Sequence, residues 1–219
     1  VLAAFLGKLL GKIFVNVVTI LGVTISFALS MIIALDIWES SAVLNQNIYT
    51  WLDIGNMSFH IGILIDNLTA SMMVVVTFVS LMVHVYTIGY MHDDPGYHRF
   101  FSYISLFTFS MLSLVMSNNF LQLFFGWEAV GVMSYLLIGF WYTKESAIKA
   151  NLKAFIVNRV GDLSLILGIG IIFSITGSLD YFAVFSNSQE IAQTELVLTS
   201  TLTVSALTAA CILLFGGAM

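Results

Sequence analysis

Glu128 is the residue whose position most invites a chemical explanation. It stands in an apolar stretch, residues 120–142, whose one other strongly polar side chain is Gln122. At about 1.5 Å per residue a helix puts it roughly 13 Å from Asn119 and about 20 Å from Trp141, near the middle of an apolar span. Burial disfavours the charged form of a carboxylate and a nearby cation favours it. A group balanced between the two can load and release a proton, and acids inside spans are functional candidates by default. The bland alternative is a carboxylate that anchors a neighbouring helix. Arg159 and Asp162 are three residues apart, so they share a helix face and can pair. They read either as a local ion pair near the inner membrane face, with Arg159 snorkelling, or as a pair in charge transfer. Glu145 and Lys149 stand at i,i+4 with Lys153 a turn further on. They read as a solvated loop leading into a helix, in which Lys149 and Lys153 could line a proton entry. His84 lies within an apolar stretch and completes the candidate set.

Other chemistry is excluded. Two b-haems need paired histidines on different spanning helices, and only His84 of the four histidines qualifies. His92, Asp93, Asp94 and His98 could be imagined around a metal, but a solvated polar loop accounts for them. Cys211 is the single cysteine, so no intrachain disulfide and no Cys-based zinc or iron–sulfur framework exists. No phosphate-binding glycine loop and no nucleophile–base arrangement is present. The glycines between 161 and 170 fall in an apolar helical stretch and imply close packing.

The elements that carry these residues follow from composition. Of 219 residues 59% are hydrophobic and 9% charged, against about 25% charged in a soluble domain. Such a chain is not a soluble enzyme, a disordered segment or a nucleic-acid binder; its main solvent is lipid. About 20 apolar residues make a spanning helix. Residues 13–35, 67–91, 100–117, 120–142, 154–176 and 196–219 approach or meet that, which predicts six spans. Residues 1–10 read as the tail of an earlier helix. All seven bases fall on alternate connections or beside them: Lys8 and Lys12, then Arg99, then Lys144, Lys149, Lys153 and Arg159. Asp36, Glu39, Asp53, Asp66, Asp180, Glu190 and Glu195 occupy the other connections. This asymmetry places the basic loops on the inner side. Between residues 48 and 64, two β-favouring runs flank Gly55-Asn56 and predict a hairpin on the outer side. The loop 177–195 is polar and partly helical. The expected fold is an all-α, multi-pass helical bundle with a short outer β-hairpin. Residues 1–66 supply a helix tail, one span and the hairpin; residues 67–219 supply a bundle that stops within a span. The apolar beginning and end suggest a piece of a longer membrane protein.

A string of motifs adds to this. Gly89-Tyr90-Met91, Tyr97-His98-Arg99-Phe100-Phe101 and Asn118-Asn119-Phe120-Leu121 are followed by Gly126-Trp127-Glu128-Ala129-Val130-Gly131. Ser134-Tyr135-Leu136-Leu137-Ile138-Gly139-Phe140-Trp141 and Lys153-Ala154-Phe155-Ile156-Val157-Asn158-Arg159-Val160-Gly161-Asp162 complete it. In order and content the string resembles the antiporter-like subunit of proton-pumping NADH–quinone oxidoreductase, respiratory complex I (chain L, or chain 5 in mitochondria). The resemblance covers roughly residues 49–219; residues 1–48 match in pattern only. Related subunits occur in multisubunit Na+/H+ antiporters and membrane-bound hydrogenases.

The resemblance implies a larger bundle with two inverted five-helix repeats, each with a broken helix. It implies a proton-translocating subunit of an NADH:ubiquinone reductase, with no cofactor and no redox centre in this chain. Flavin and iron–sulfur clusters would lie in partner subunits. Glu128 matches the family's glutamate on helix 5, implied to partner a lysine on broken helix 7 that would follow Met219. Arg159 and Asp162 match positions implied near a neighbouring antiporter-like subunit. The implied location is the bacterial inner membrane or the mitochondrial inner membrane, with basic loops on the cytoplasmic or matrix side. The partners implied are other complex I membrane subunits and lipid, and no nucleic acid. A subunit of a multisubunit Na+/H+ antiporter is the alternative.

Overall fold

The computed structural model describes residues 2–54, 57–199 and 202–219. Its order is α1 (Leu2–Ser40), β1 (Leu44–Ile54), β2 (Met57–Ile65), α2 (Asn67–Tyr90), α3 (Tyr97–Val115) and α4 (Phe120–Ile138). Then come α5 (Glu145–Thr176), α6 (Tyr181–Ser186), α7 (Ser188–Gln193), β3 (Glu195–Thr199), β4 (Leu202–Ser205) and α8 (Ala206–Ala218). Among the described residues four helical segments, against the six spans expected, are long and apolar enough to cross a membrane: Gly11–Ser40, Asn67–Tyr90, Phe120–Ile138 and Glu145–Thr176. The chain is a helical membrane protein with a β-hairpin, as expected.

Three boundaries differ from expectation. α1 is one run of 39 residues, but Gly11 takes φ 82 and ψ 176, which breaks it where a helix tail was expected to meet the first span. Only glycine enters that region without a steric cost. The stretch around Glu145, Lys149 and Lys153 is the first turns of α5 and no loop. Glu145 in the first turn favours the helix N-terminus, and its pairing with Lys149 supports it. The expected span 196–219 divides: β3 and β4 pair antiparallel, Glu195 opposite Ser205, and only 13 residues remain helical in α8. The β-branched residues Val197, Thr199, Thr203 and Val204 favour strand over helix there. At about 1.5 Å per residue, α8 covers roughly 20 Å, short of a bilayer core.

The two ends of the bundle are built differently. At the acidic end β1 and β2 form the expected hairpin, with Leu44 opposite Ile65; its Gly55-Asn56 turn lies outside the described residues. Asn118 and Asn119 tie this hairpin to the helices. Asn118 is 1% exposed, and its Nδ2 donates to Asn45 Oδ1 at 3.0 Å and to Asn47 Oδ1 at 2.7 Å. Asn119 Nδ2 donates to the His60 carbonyl at 2.9 Å, while its Oδ1 caps α4 by accepting the Gln122 N–H at 2.8 Å. A side chain at Gly62 would lie 2.1 Å from Asn118 Nδ2, so only glycine fits. Asp66, one of the acids of this end, caps α2 through the Thr69 N–H.

At the basic end the Lys12 ammonium donates to the His92 carbonyl. Arg99 Nη2 donates to the Phe140 carbonyl at 3.0 Å, and Trp141 Nε1 donates to Asp94 Oδ2 at 2.9 Å. These contacts gather three basic connections at one end. A core of Val15, Met91, Tyr97, Phe101, Ile104 and Phe140 lies under them. Between the ends, large apolar side chains such as Ile25, Leu29, Val75 and Leu163 are more than half exposed, as suits a lipid solvent.

Candidate functional site

α4 and α5 together hold the candidate site. α4 can approach α3 because Gly126 has no side chain: a Cβ there would lie 2.8 Å from Leu114 Cα. Two residues further along α4, Glu128 faces α5. Arg159 Nη1 donates to Glu128 Oε2 at 2.5 Å, and the same nitrogen lies 3.4 Å from Asp162 Oδ2. Trp127 Nε1 donates to Asp162 Oδ1 at 3.0 Å. The Arg159 guanidinium also lies over the Phe155 ring, 5.0 Å from its centroid. Next to Asp162 in sequence, Gly161 meets Gly217 of α8 and lets the backbones of α5 and α8 approach closely.

The set comprises two carboxylates and one guanidinium, so the two acids share a single cation. The Asp162 side chain is 10% exposed, Glu128 22% and Arg159 38%. Charge–charge coupling is stronger at such sites than in water. Two acids on one cation attract a proton or a further cation, and Arg159 can be shared in differing proportion between its two acceptors. Sequence spacing anticipated the Arg159–Asp162 pair. It did not place Glu128 on the same nitrogen, because the two lie 31 residues apart on different helices. Trp127 was missed altogether. Its signal was its place next to Glu128, with an indole N–H that needs an acceptor in an apolar span.

The remaining candidates lie elsewhere. Lys149 pairs with Glu145 at 2.7 Å, with both side chains more than three-quarters exposed. Lys153 is exposed one turn further along α5. About 9 Å of helix rise separates Lys153 from Arg159, so neither lysine joins the cluster. His84 is fully buried between α2 and α3. Its Nδ1 lies 2.8 Å from the Ser80 carbonyl oxygen and its Nε2 3.1 Å from Ser105 Oγ. Among the described residues no three of His, Cys, Asp and Glu converge to hold a metal ion.

Comparison with known proteins agrees with the motif string. Residues 51–101 match the family model of the complex I NADH–ubiquinone oxidoreductase chain 5 N-terminus. Residues 117–219 match the model of the transmembrane region shared by NADH:quinone oxidoreductase and Mrp antiporters. NADH-quinone oxidoreductase subunit L of Neisseria meningitidis serogroup B is 53% identical over 221 residues, covering 100% of this chain and 33% of that protein. The chain belongs to the subunit L and chain 5 family. NADH-ubiquinone oxidoreductase chain 5 of Dictyostelium discoideum is 48% identical over 157 residues, covering 72% of this chain and 23% of that protein. The chain thus spans about a third or less of the length of these relatives. Two solved structures share the family's fold over 98% of the chain. An archaeal membrane-bound sulfane sulfur reductase has a TM-score of 0.76 at 14% identity and 41% coverage of its own chain. Respiratory complex I from Thermus thermophilus has 0.63 at 17% identity and 40% coverage.

Proposed function

We propose that the cluster of Glu128, Arg159 and Asp162 is a charge-exchange site through which a proton-translocating antiporter-like subunit of NADH–quinone oxidoreductase moves protons across the membrane. The observation that carries this is one guanidinium nitrogen bonded to Glu128 at 2.5 Å with Asp162 at 3.4 Å, deep in α4 and α5. Moving Arg159 toward Asp162 removes the cation from Glu128 and favours its protonation; moving it back favours release. Trp127 holds one oxygen of Asp162 and leaves the other for Arg159. The lysine that the resemblance implies on a broken helix further along would be the second cation the cluster lacks.

Electron transfer from NADH to quinone belongs to other subunits, which carry the flavin and iron–sulfur clusters; this chain carries none. The energy reaches it through conformation and electrostatics, and a neighbouring antiporter-like subunit contacts it near Arg159 and Asp162. The basic end, with Lys149 and Lys153, faces the cytoplasm or matrix and supplies protons. The gathering of Lys12, Arg99 and Lys144 at one end supports that orientation.

The test is Glu128→Gln in the intact complex in sealed membrane vesicles. Proton pumping is expected to fall while the complex still assembles. A Glu128→Gln complex that pumps normally at full quinone-reductase rate would sink the assignment. The second function, a subunit of a multisubunit Na+/H+ antiporter, is favoured by the shared family model over residues 117–219. Co-purification with electron-transfer subunits decides between them.

A further inference from the structure

His84 sits in a hydrogen-bond arrangement that suits two protonation states. Its Nδ1 is 2.8 Å from the Ser80 carbonyl oxygen, which can only accept. Ser80 Oγ, 3.3 Å from Nδ1, lies 2.6 Å from Thr108 Oγ1, whose own proton goes to the Ile104 carbonyl at 2.9 Å. The Ser80 hydroxyl proton is therefore directed to Thr108, and Nδ1 carries the ring proton. Nε2 is left as the atom that gains or loses one. Nε2 faces Ser105 Oγ at 3.1 Å, and Ser105 Oγ is 2.8 Å from the Phe101 carbonyl. The single Ser105 hydroxyl proton thus has two acceptors. It goes to Nε2 when the imidazole is neutral, and to Phe101 when the imidazolium donates to Oγ. Rotation of one hydroxyl satisfies either state, so neither leaves a buried polar atom unpaired.

Ser105 also opens onto a cavity. The space between α1 and α3, about 400 Å³, is lined by Thr19, Ser26, Ser102, Ser105 and Thr108 on its hydroxyl-bearing side and by Val18, Val23, Phe109 and Leu112 on the rest. It is large enough to admit water to the hydroxyl-bearing side. On its other side His84 borders a space of about 420 Å³ lined chiefly by aliphatic and aromatic side chains from α2, α3 and α4. No Asp, Glu, Lys or Arg of α1, α2, α3 or α4 lines either space, so no fixed charge opposes or compels protonation. Ser105 therefore stands between the imidazole and this space, on one side only.

We infer that His84 is a proton-accepting site, loaded at Nε2 through Ser105 from water in the cavity between α1 and α3. Ser105 Oγ–H passes its proton to Nε2 while Oγ takes one from a hydronium in the cavity. One proton leaves the water and one arrives on the ring; release reverses the two transfers. The inference rests on proton translocation as the function, but it uses no residue of the Glu128 cluster.

The experiment uses the intact complex in membrane vesicles, with His84→Gln, Ser105→Ala and Ser105→Thr beside Glu128→Gln. The imidazole ring band is followed by infrared difference spectroscopy with ring-labelled histidine between about pH 5 and 8, together with protons pumped per NADH. His84→Gln is expected to remove one titrating band and lower protons per NADH while NADH oxidation continues. Ser105→Ala is expected to lower the same ratio and Ser105→Thr to restore it. A His84→Gln complex with the wild-type band and ratio overturns the inference; if that variant fails to assemble, a Ser105→Ala complex with the wild-type ratio does so. A normal Glu128→Gln with a defective His84→Gln removes the Glu128 assignment alone. The reverse result removes His84 alone.

Discussion

Two polar clusters lie within the helical layer, and they solve the cost of polarity in lipid in opposite ways. Glu128, Arg159 and Asp162 join α4 to α5 by charge, keep partial exposure and set two acids on one cation. His84, Ser80, Ser105 and Thr108 join α2 to α3 by neutral hydrogen bonds, with the imidazole fully enclosed. The charged cluster is held by an ion pair and an indole hydrogen bond between α4 and α5. The neutral one is held by hydrogen bonds between α2 and α3, and its polar atoms are satisfied by hydroxyls and carbonyls of those two helices. An acidic pair on a shared cation responds to any cation or proton brought near. A satisfied neutral set changes only if a proton enters.

The sharpest way to break the contrast is Arg159→Ala. It leaves Glu128 and Asp162 facing each other without a cation. Loss of one partner from a fully buried pair costs about 3–5 kcal/mol; with the Arg159 side chain 38% exposed, a destabilisation of about 2 kcal/mol is expected. Adding Glu128→Gln should recover part of it, and thermal melting of the purified complex measures both. Equal melting of Arg159→Ala and wild type would show that charge does not hold α4 to α5.

The neutral cluster should behave differently. His84→Ala empties a buried site and removes the imidazole hydrogen bonds to Ser80 and Ser105, for about 2 kcal/mol. His84→Gln keeps the hydrogen bonds and should cost under about 1 kcal/mol. A charged cluster has no such neutral substitute, so Arg159→Gln should melt close to Arg159→Ala. Trp127→Phe is milder. It removes the indole N–H from Asp162 and costs about 1 kcal/mol in this partly exposed setting. Its functional sign is the informative part. An Asp162 freed from the indole competes better for Arg159, so the pH profile of pumping should move while NADH oxidation holds.

The smallest expected effect lies away from both clusters and serves as a control. Burial pushes the Tyr181 phenol from its ordinary 10.0 up to about 12. The folded state therefore holds the phenolic proton more tightly than the unfolded one. The stability this adds is present below pH 10 and is lost as pH rises toward about 12. Tyr181→Phe should flatten that alkaline limb and leave both clusters unchanged. At the other end, the Trp141 indole and the Gly96 N–H hold Asp94 below its ordinary 3.8. Its contribution is present above that value and fades as pH falls through the lowered one.

Much of this was legible in the residues. The apolar runs fixed α2 and α4 closely, the alternation of basic and acidic connections matched the two ends of the bundle, and Gly55-Asn56 marked the hairpin. Glu128, Arg159 and Asp162 stood out because charge within an apolar run is costly. The features that the residues did not disclose have two physical causes. Hydropathy does not distinguish a helix from a strand in a Thr- and Val-rich segment, so it runs β3 and β4 into a span. The tie of Asn118 to Asn45 and Asn47 spans more than seventy residues of sequence and leaves no periodic trace. The bond from Trp127 to Asp162 crosses 35 residues and leaves no such trace either.

The sequence by itself determined the solvent, the family, the helices and the short set of charges that lipid does not tolerate idly. Those follow from local composition and spacing, which act residue by residue. Only the tertiary structure decided that Glu128 and Asp162 share one nitrogen of Arg159, and that His84 faces a hydroxyl able to turn two ways. Such pairings depend on how helices cross. Crossing is set by small contacts, Gly126 on Leu114 and Gly161 on Gly217, whose partners are distant along the chain.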